Sequence, residues 1–296
     1  DFENLNKNDR DLLTQFIKEL YTVFHADGLS VSIDVPAASE AFDYKELEKY
    51  VDQIIVMAYD ENVNNPGTIA SSSWFKEILA NLSKEKLIVA LGNYGYDWEW
   101  ESQQPGEVVS SDDVTRLAEK ANLNIQWDDM SHTPYLKYME NNKVHEIWFL
   151  DSATFYNQLK MSAEAGAQGI ALWRLGSEDP SVWDILKGHK TEELLTVKNG
   201  GNIYSTGNGD IYRAKESWKE GERSLRFDDS GFITSETYIT NPISSEFERL
   251  GQPGEKEIAL TFDDGPDPKY TESILEILKQ YQVKASFFVI GNKAIH

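Results

Sequence analysis

Over residues 1–190 short apolar runs alternate with amphipathic helical patterns, and this alternation constrains the fold more than any other feature of the chain. Leu29-Ser-Val-Ser-Ile-Asp-Val-Pro36 alternates as a strand does. Residues 53–60 form a second strand-sized run and residues 169–175 a third. Leu87-Ile-Val-Ala-Leu91 is nearly continuous in apolar character, as expected of a parallel strand covered on both faces. Helical spacing fills the intervals. Asn8 reads as an N-cap, followed by Leu12, Leu13, Phe16, Ile17, Leu20, Val23 and Phe24 on one face. Further helices are predicted over 44–51, 72–82, 152–165 and 182–187. Strands joined by crossover helices lie parallel, so the expected class is α/β with a parallel sheet or barrel.

The rhythm is interrupted between the runs at 87–91 and 169–175. A helix is predicted over 112–123, then short strands over 125–127, 135–138 and 144–150, with Asn141-Asn142 as a hairpin turn. Residues 191–254 change character. The turn clusters Asn199-Gly-Gly-Asn, Thr206-Gly-Asn-Gly-Asp210 and Asp228-Asp-Ser-Gly231 separate short β-rich runs. A new βαβ unit then begins, with a strand over 257–262, a loop over 263–268, a helix over 270–281 and a strand over 284–290. Three segments follow: 1–190, a β-rich connector over 191–254, and 255–296.

Composition removes several function classes. Lys and Arg total 28 against 50 Asp and Glu, a net charge of −22, which argues against nucleic acid or an anionic membrane as principal partner. The chain has no cysteine, so disulfides, thiol chemistry and zinc–thiolate sites are excluded. No apolar run approaches the roughly 20 residues that span a bilayer. The sequence opens at Asp1 and stops at His296, and both ends read as cut, so targeting segments are expected outside it.

Two acidic constellations carry chemistry. In Asp1-Phe-Glu3 the carboxylates share a face if the segment closes a strand. Paired carboxylates repel, which keeps one protonated and able to protonate a glycosidic oxygen; the same residues would also complement the positive end of the following helix. Asp1-Phe-Glu3 resembles the end of the D-x-x-D-x-D-x-E signature of glycoside hydrolase family 18, which closes the fourth strand of a (β/α)8 barrel. Met57-Ala-Tyr-Asp60 looks like that family's M-x-Y-D motif, Leu91-Gly-Asn-Tyr-Gly-Tyr-Asp-Trp98 is similar to its seventh strand, and Gly169-Ile-Ala-Leu-Trp-Arg-Leu-Gly176 resembles its eighth. The similarity is to the spore-cortex and cell-surface branch. It implies an incomplete (β/α)8 TIM barrel covering about strands 4–8, with the site at the C-terminal ends of the strands. It also implies retaining, substrate-assisted hydrolysis with no cofactor. Glu3 would be the general acid and base, and Asp1 would orient the substrate's acetamido group. Tyr59 would bond the acetamido carbonyl, with Asp60 in the same subsite. Trp173 would floor the sugar, Tyr94 and Met57 would contact it, and Trp98 and Trp100, flanking a loop, would extend the cleft. Strands one to three of the barrel are missing from this sequence, and five βα units do not close a barrel, so the fragment alone is expected to be inactive.

Ala259-Leu-Thr-Phe-Asp-Asp-Gly-Pro-Asp267, with Lys284-Ala-Ser-Phe-Phe-Val-Ile-Gly291 one helix later, resembles the opening of the NodB-type polysaccharide deacetylases. Asp-Gly and Pro-Asp are also ordinary turn residues. By that resemblance Asp263 would be the catalytic base and Asp264 a ligand to a divalent metal, zinc by the family's habit. The histidines are His25, His132, His145, His189 and His296, and no i, i+4 pair follows Asp264, so the metal site is expected to be half-built. Together the resemblances imply a bacterial cell-surface or extracellular enzyme acting on an N-acetylglucosamine polymer or peptidoglycan, with a fused membrane glycosyltransferase outside the sequence. A non-hydrolytic, carbohydrate-binding barrel is the rival, which the presence of Glu3 disfavours.

Overall fold

The computed structural model of the chain describes residues 2–80, 82–102, 104–188, 191–251 and 258–294. It divides into two compact units, Asp1–Tyr204 with Glu216–Glu246, and Ser205–Lys215 with Phe247–His296. Among the described residues no helix is long and apolar enough to cross a membrane.

The first unit opens with a 3-10 turn whose cap is Asn6 rather than Asn8. The Asn6 side chain accepts from the Asn8 amide, and the Asp9 carboxylate accepts from the Asn6 amide. This turn leads into α1 (Arg10–Ala26), which buries Leu13 and Ile17. There follow β1 (Ser32–Pro36), α2 (Tyr44–Leu47), β2 (Gln53–Met57), α3 (Ser72–Ala80) and β3 (Leu87–Gly92). An insertion comes next: β4 (Gly95–Glu99), β5 (Glu107–Val109), α4 (Ser111–Ala121), β6 (Gln126–Asp128), β7 (Thr133–Glu140) and β8 (Lys143–Phe149). The chain then returns through α5 (Ser152–Glu164), β9 (Gly169–Trp173) and α6 (Val182–Leu186).

Strands β1, β2, β3 and β9 form one parallel sheet in that order. Register fixes its two faces. Val35, Val56 and Val89 stand in one row and are fully buried. They pack with Ile33, Ile54, Leu87, Phe75 and Phe155 into the main core beneath α1, α3 and α5. Pro36, Met57, Ala90 and Ala171 make the corresponding row on the other face, with Asp34, Ile55 and Ile88 one layer below. The insertion folds as an antiparallel sheet in the order β5–β4–β8–β7–β6. Its β7–β8 hairpin turns at Asn141 and Asn142, both at positive φ as a two-residue hairpin loop requires.

The chain continues through β10 (Thr196–Val197), β11 (Ile203–Gly207), β12 (Ile211–Glu216), β13 (Gly221–Phe227), β14 (Ile233–Thr240) and β15 (Ser245–Leu250). The expected connector is therefore not one module. Strands β10, β13 and β14 form a sheet within the first unit, which extends past the boundary expected at 190. Its anchor is Arg223 on β13, fully buried and paired with Asp179 and Glu236 at 3.1 Å each and with Asp151 at 3.6 Å. The guanidinium also donates to the Leu194 carbonyl and to the Ser152 hydroxyl. Burial works against ionisation of Asp179, but the Arg223 charge and the Ser152 hydrogen bonds hold its carboxyl below the usual range. Burial, then the neighbouring Asp151 charge, pushes the Glu236 carboxyl well above it.

The second unit contains the sheet β11–β15–β12 and a βαβα segment. That segment runs β16 (Thr261–Gly265), α7 (Thr271–Gln280), β17 (Ser286–Val289) and α8 (Gly291–Ala294), with β16 and β17 parallel. Strand β16 carries Asp263 and Asp264, which the sequence reading assigned to a loop, because pairing of Gly265 with Val289 extends the ladder past them.

Removing Arg223 leaves buried carboxylates unpaired, so Arg223→Ala is expected to cost about 3–5 kcal/mol of unfolding free energy in thermal or urea denaturation. Glu236→Gln behaves oppositely. In the unfolded chain Glu236 ionises near pH 4.5, whereas the folded chain retains the proton, so the native Glu loses stability as pH rises above that value. The Gln variant lacks this loss, so its unfolding free energy relative to the native chain, followed by thermal denaturation, should rise as pH increases above 5, by at most about 1.4 kcal/mol per pH unit.

Candidate active site

The row Pro36, Met57, Ala90 and Ala171 floors a cavity of 650 Å³ in the first unit. The wall residues Glu3, Tyr59, Asp60 and Trp173 all line it, and they come from segments separated by up to 170 positions. Asp1 lies outside the described residues. Tyr59 and Asp60 follow directly on β2, and Trp173 ends β9 opposite Gly92. Trp173 is 53 % exposed, which leaves its indole face open to a ligand. The Tyr59 phenol keeps its proton: burial first, then the charges of Asp60, Asp34 and Glu3, raises its pKa.

Asp60 takes a positive φ of 65°, and its side chain is held from the insertion. Tyr94 and Tyr96 both donate their hydroxyls to Asp60 Oδ1, the latter at 2.9 Å. Tyr94, expected to touch substrate, is buried, does not line the cavity, and commits its hydroxyl to Asp60. Trp98 requires a correction. It does not flank an exposed loop: it lies in β4 between two paired strands, 2 % exposed, donating from Nε1 to the Val63 carbonyl at 2.8 Å. Alternation along β4 turns it inward with Tyr96, under the segment that follows Asp60. Trp100, two residues on, is exposed but tied by Nε1 to Glu146.

Three cavity residues escaped the sequence reading. Asp34 stands on β1 within the apolar alternation, and a lone charge at an inward strand position was the available signal. Glu61 accepts from the Ser71 amide at 2.7 Å, from Ser71 Oγ at 3.0 Å and from Thr68 Oγ1 at 2.9 Å, closing the loop after β2. Trp74 on α3 lines the same cavity.

With this geometry in place, comparison with known proteins is decisive. The sequence profile of Glycosyl hydrolases family 18 matches residues 1–179. The chain belongs to glycosyl hydrolase family 18. The profile named Polysaccharide deacetylase matches residues 250–296. The cortical fragment-lytic enzyme of Bacillus subtilis is 28% identical over 205 residues, 63% of this chain and 48% of that protein. Peptidoglycan-N-acetylglucosamine deacetylase of Bacillus cereus is 62% identical over 37 residues, 12% of this chain and 17% of that protein. In three dimensions the chain is similar to the Bacillus cereus spore cortex-lytic enzyme SleL, with a TM-score of 0.57, 27% identity, and coverage of 64% of this chain and 48% of that one. A chitinase from Chromobacterium violaceum, 24% identical with a TM-score of 0.56 over 62% of each chain, shares the fold. The chain spans about half the length of the cortical fragment-lytic enzymes it matches. These matches give the chain a family 18 segment of mixed α/β fold, followed by sequence of the polysaccharide deacetylase family.

Asp263 and Asp264 do not complete a site by themselves. Asp264 has a φ of 63°, and its carbonyl accepts from Lys293 Nζ at 2.9 Å. Among the described residues no group of three or more His, Asp or Glu converges as metal ligands, so the residues present do not fit a metal centre.

Gly92, at the end of β3 behind Tyr59, leaves no room for a side chain. A Cβ there would meet Leu150 Cδ1 at 2.9 Å, Tyr59 Cβ at 3.1 Å and Tyr94 Cε1 at 3.2 Å. Gly92→Ala is therefore expected to displace both tyrosines, lowering stability by about 1–3 kcal/mol in thermal denaturation and reducing any turnover at Glu3.

Proposed function

We propose that the first unit is the C-terminal part of a (β/α)8 barrel, expected to cover about strands 4–8 and represented by four parallel strands with no strand described at Phe2–Glu3, that hydrolyses glycans containing N-acetylglucosamine with retention and substrate assistance. The observation that carries this reading is the meeting of Glu3, Tyr59, Asp60 and Trp173 around one cavity at the C-terminal ends of parallel strands in a family 18 chain. Glu3 protonates the departing glycosidic oxygen and then takes a proton from the attacking water. The substrate's acetamido oxygen is the nucleophile, so the protein needs no carboxylate nucleophile of its own. Asp1 orients the acetamido group and stabilises the positive charge that develops on it. The protonated Tyr59 phenol donates to the acetamido oxygen, Asp60 accepts from the same sugar, and Trp173 offers its open face to the apolar side of the ring. Met57 closes the pocket floor.

For the whole protein we read N-deacetylation of the same polymer as a second activity, in which Asp263 would serve as base and Asp264 would offer one carboxylate to a divalent metal, zinc by family habit, a centre that the described residues alone do not form. Both activities converge on acetylated amino sugars; the name of one relative supports peptidoglycan as the polymer, and the bacterial cell surface is the location we propose for it. The isolated 296-residue chain is expected to show no turnover, because four parallel strands do not enclose the cavity as a closed barrel would.

In the full-length protein Glu3→Gln should reduce the release of reducing ends from N-acetylglucosamine oligomers by about 10²–10⁴-fold. Unchanged release would overturn the glycosidase reading. Asp263→Asn should lower acetate release by a similar factor while leaving glycan cleavage intact. Acetate release that survives both this change and a metal chelator would remove the second half of the proposal.

A further inference from the structure

Asp60 stands at a turn, exposed, in the left-handed region, with no strand pairing of its own. Its side chain is fixed by two neutral donors, Tyr94 and Tyr96, both bonded to Oδ1. Among the described residues nothing donates to Oδ2. Tyr96 itself has little freedom. It lies on β4 between β5 and β8, is 8 % exposed, and meets Tyr94 edge-on at 5.5 Å and Trp98 at 5.5 Å. Trp148 is its cross-strand neighbour on β8.

We propose that Tyr96 is a positioning residue for the glycosidase site, delivering the rigidity of the insertion sheet to Asp60 through one hydrogen bond. With both phenols on Oδ1, Oδ2 is kept as the acceptor for a substrate hydroxyl or N–H. Tyr96 does not line the cavity, so it acts on substrate only through Asp60. The inference rests on the glycosidase reading for its catalytic consequence, but the Tyr96–Asp60 link stands on the geometry alone. The physical reason for two donors is that a carboxylate on a turn retains rotational freedom about χ1 and χ2, and one hydrogen bond does not fix both. Two phenols arriving from positions two apart, Tyr94 just before β4 and Tyr96 within it, do. Burial, then the Asp60 charge and hydrogen bond, pushes the Tyr96 phenol up to about 12, in keeping with a proton held on the tyrosine.

The test has two arms, both on the full-length protein. In the first, the Tyr96 hydroxyl proton is located by NMR through its loss in Tyr96→Phe, and then followed in Asp60→Ala. An upfield shift with faster exchange is expected; an unchanged resonance overturns the link. In the second, cleavage of N-acetylglucosamine oligomers is measured as a double-mutant cycle. Tyr96→Phe should lower kcat/KM about tenfold with an unchanged melting temperature, yet by less than about twofold in the Asp60→Ala background. Equal losses in the two backgrounds, or no loss in the first, would show that Tyr96 does not act through Asp60. A Tyr96→Gln variant, which restores a donor, should recover part of the loss, whereas a merely structural tyrosine would not be rescued. If the parent protein cleaves nothing, the glycosidase reading and the catalytic role of Tyr96 fail together, and the resonance arm still decides the link.

Discussion

The register of four parallel strands governs everything else in the first unit. Because β1, β2, β3 and β9 pair without a bulge, every residue along them is assigned to one of two faces. Val35, Val56 and Val89 are committed to the core, each contributing about 1.5–3 kcal/mol by burial. The alternate positions are then forced to the cavity, where Asp34 can carry a charge that the core face would not tolerate. A one-residue slip of β2 would exchange Met57 and Val56 and empty both the core and the site.

Against this frame the insertion is more than an appendage. Strands β3 and β9 pair directly, so the insertion leaves the parallel sheet uninterrupted and adds a second rigid sheet at the ends of its strands. Close approach at Gly92 and Gly95 lets the chain leave β3 and enter β4 against Leu150 and Phe149 with no intervening side chain. That tight exit brings Tyr94 and Tyr96 back over Asp60. The turn after β2 is thereby held from two directions, by the phenols on Asp60 and by Glu61 gripping Ser71 and Thr68.

The parallel strands were legible in their apolar runs, and the residues that follow them, Tyr59 and Asp60 after β2 and Trp173 at the end of β9, were singled out by resemblance to family motifs and line one cavity. Asp34 was not legible because a single carboxylate inside an apolar alternation has no partner in the sequence; only its strand neighbours show which way it faces. Trp98 was expected to flank a loop and extend the cleft, whereas β4 is paired on both sides and turns it inward. The Arg223 cluster was invisible for a different reason. Asp151, Asp179 and Glu236 lie 13 to 72 positions away, and nothing local distinguishes Arg223 from a surface arginine. Its partners also explain why the β-rich stretch after residue 190 belongs partly to the first unit rather than to a free connector.

The two acidic constellations differ in what surrounds them. Asp263 and Asp264 carry charge on a strand whose described neighbours supply no further ligands. In the first unit the carboxylates Glu3, Asp34, Asp60 and Glu61 share one cavity, and no Lys, Arg or His is among its lining residues. Where these carboxylates have partners, the partners are neutral hydroxyls and amides: Tyr94, Tyr96, Thr68 and Ser71. Such a site satisfies its hydrogen bonds without cancelling its charge. It is therefore suited to a ligand rich in hydroxyl and amide donors and poorly suited to an anionic one. The excess of acidic residues, which at the level of composition only excluded partners, acquires a positive meaning there: the open acceptors of the cavity match the donors of the acetylated sugar proposed as substrate.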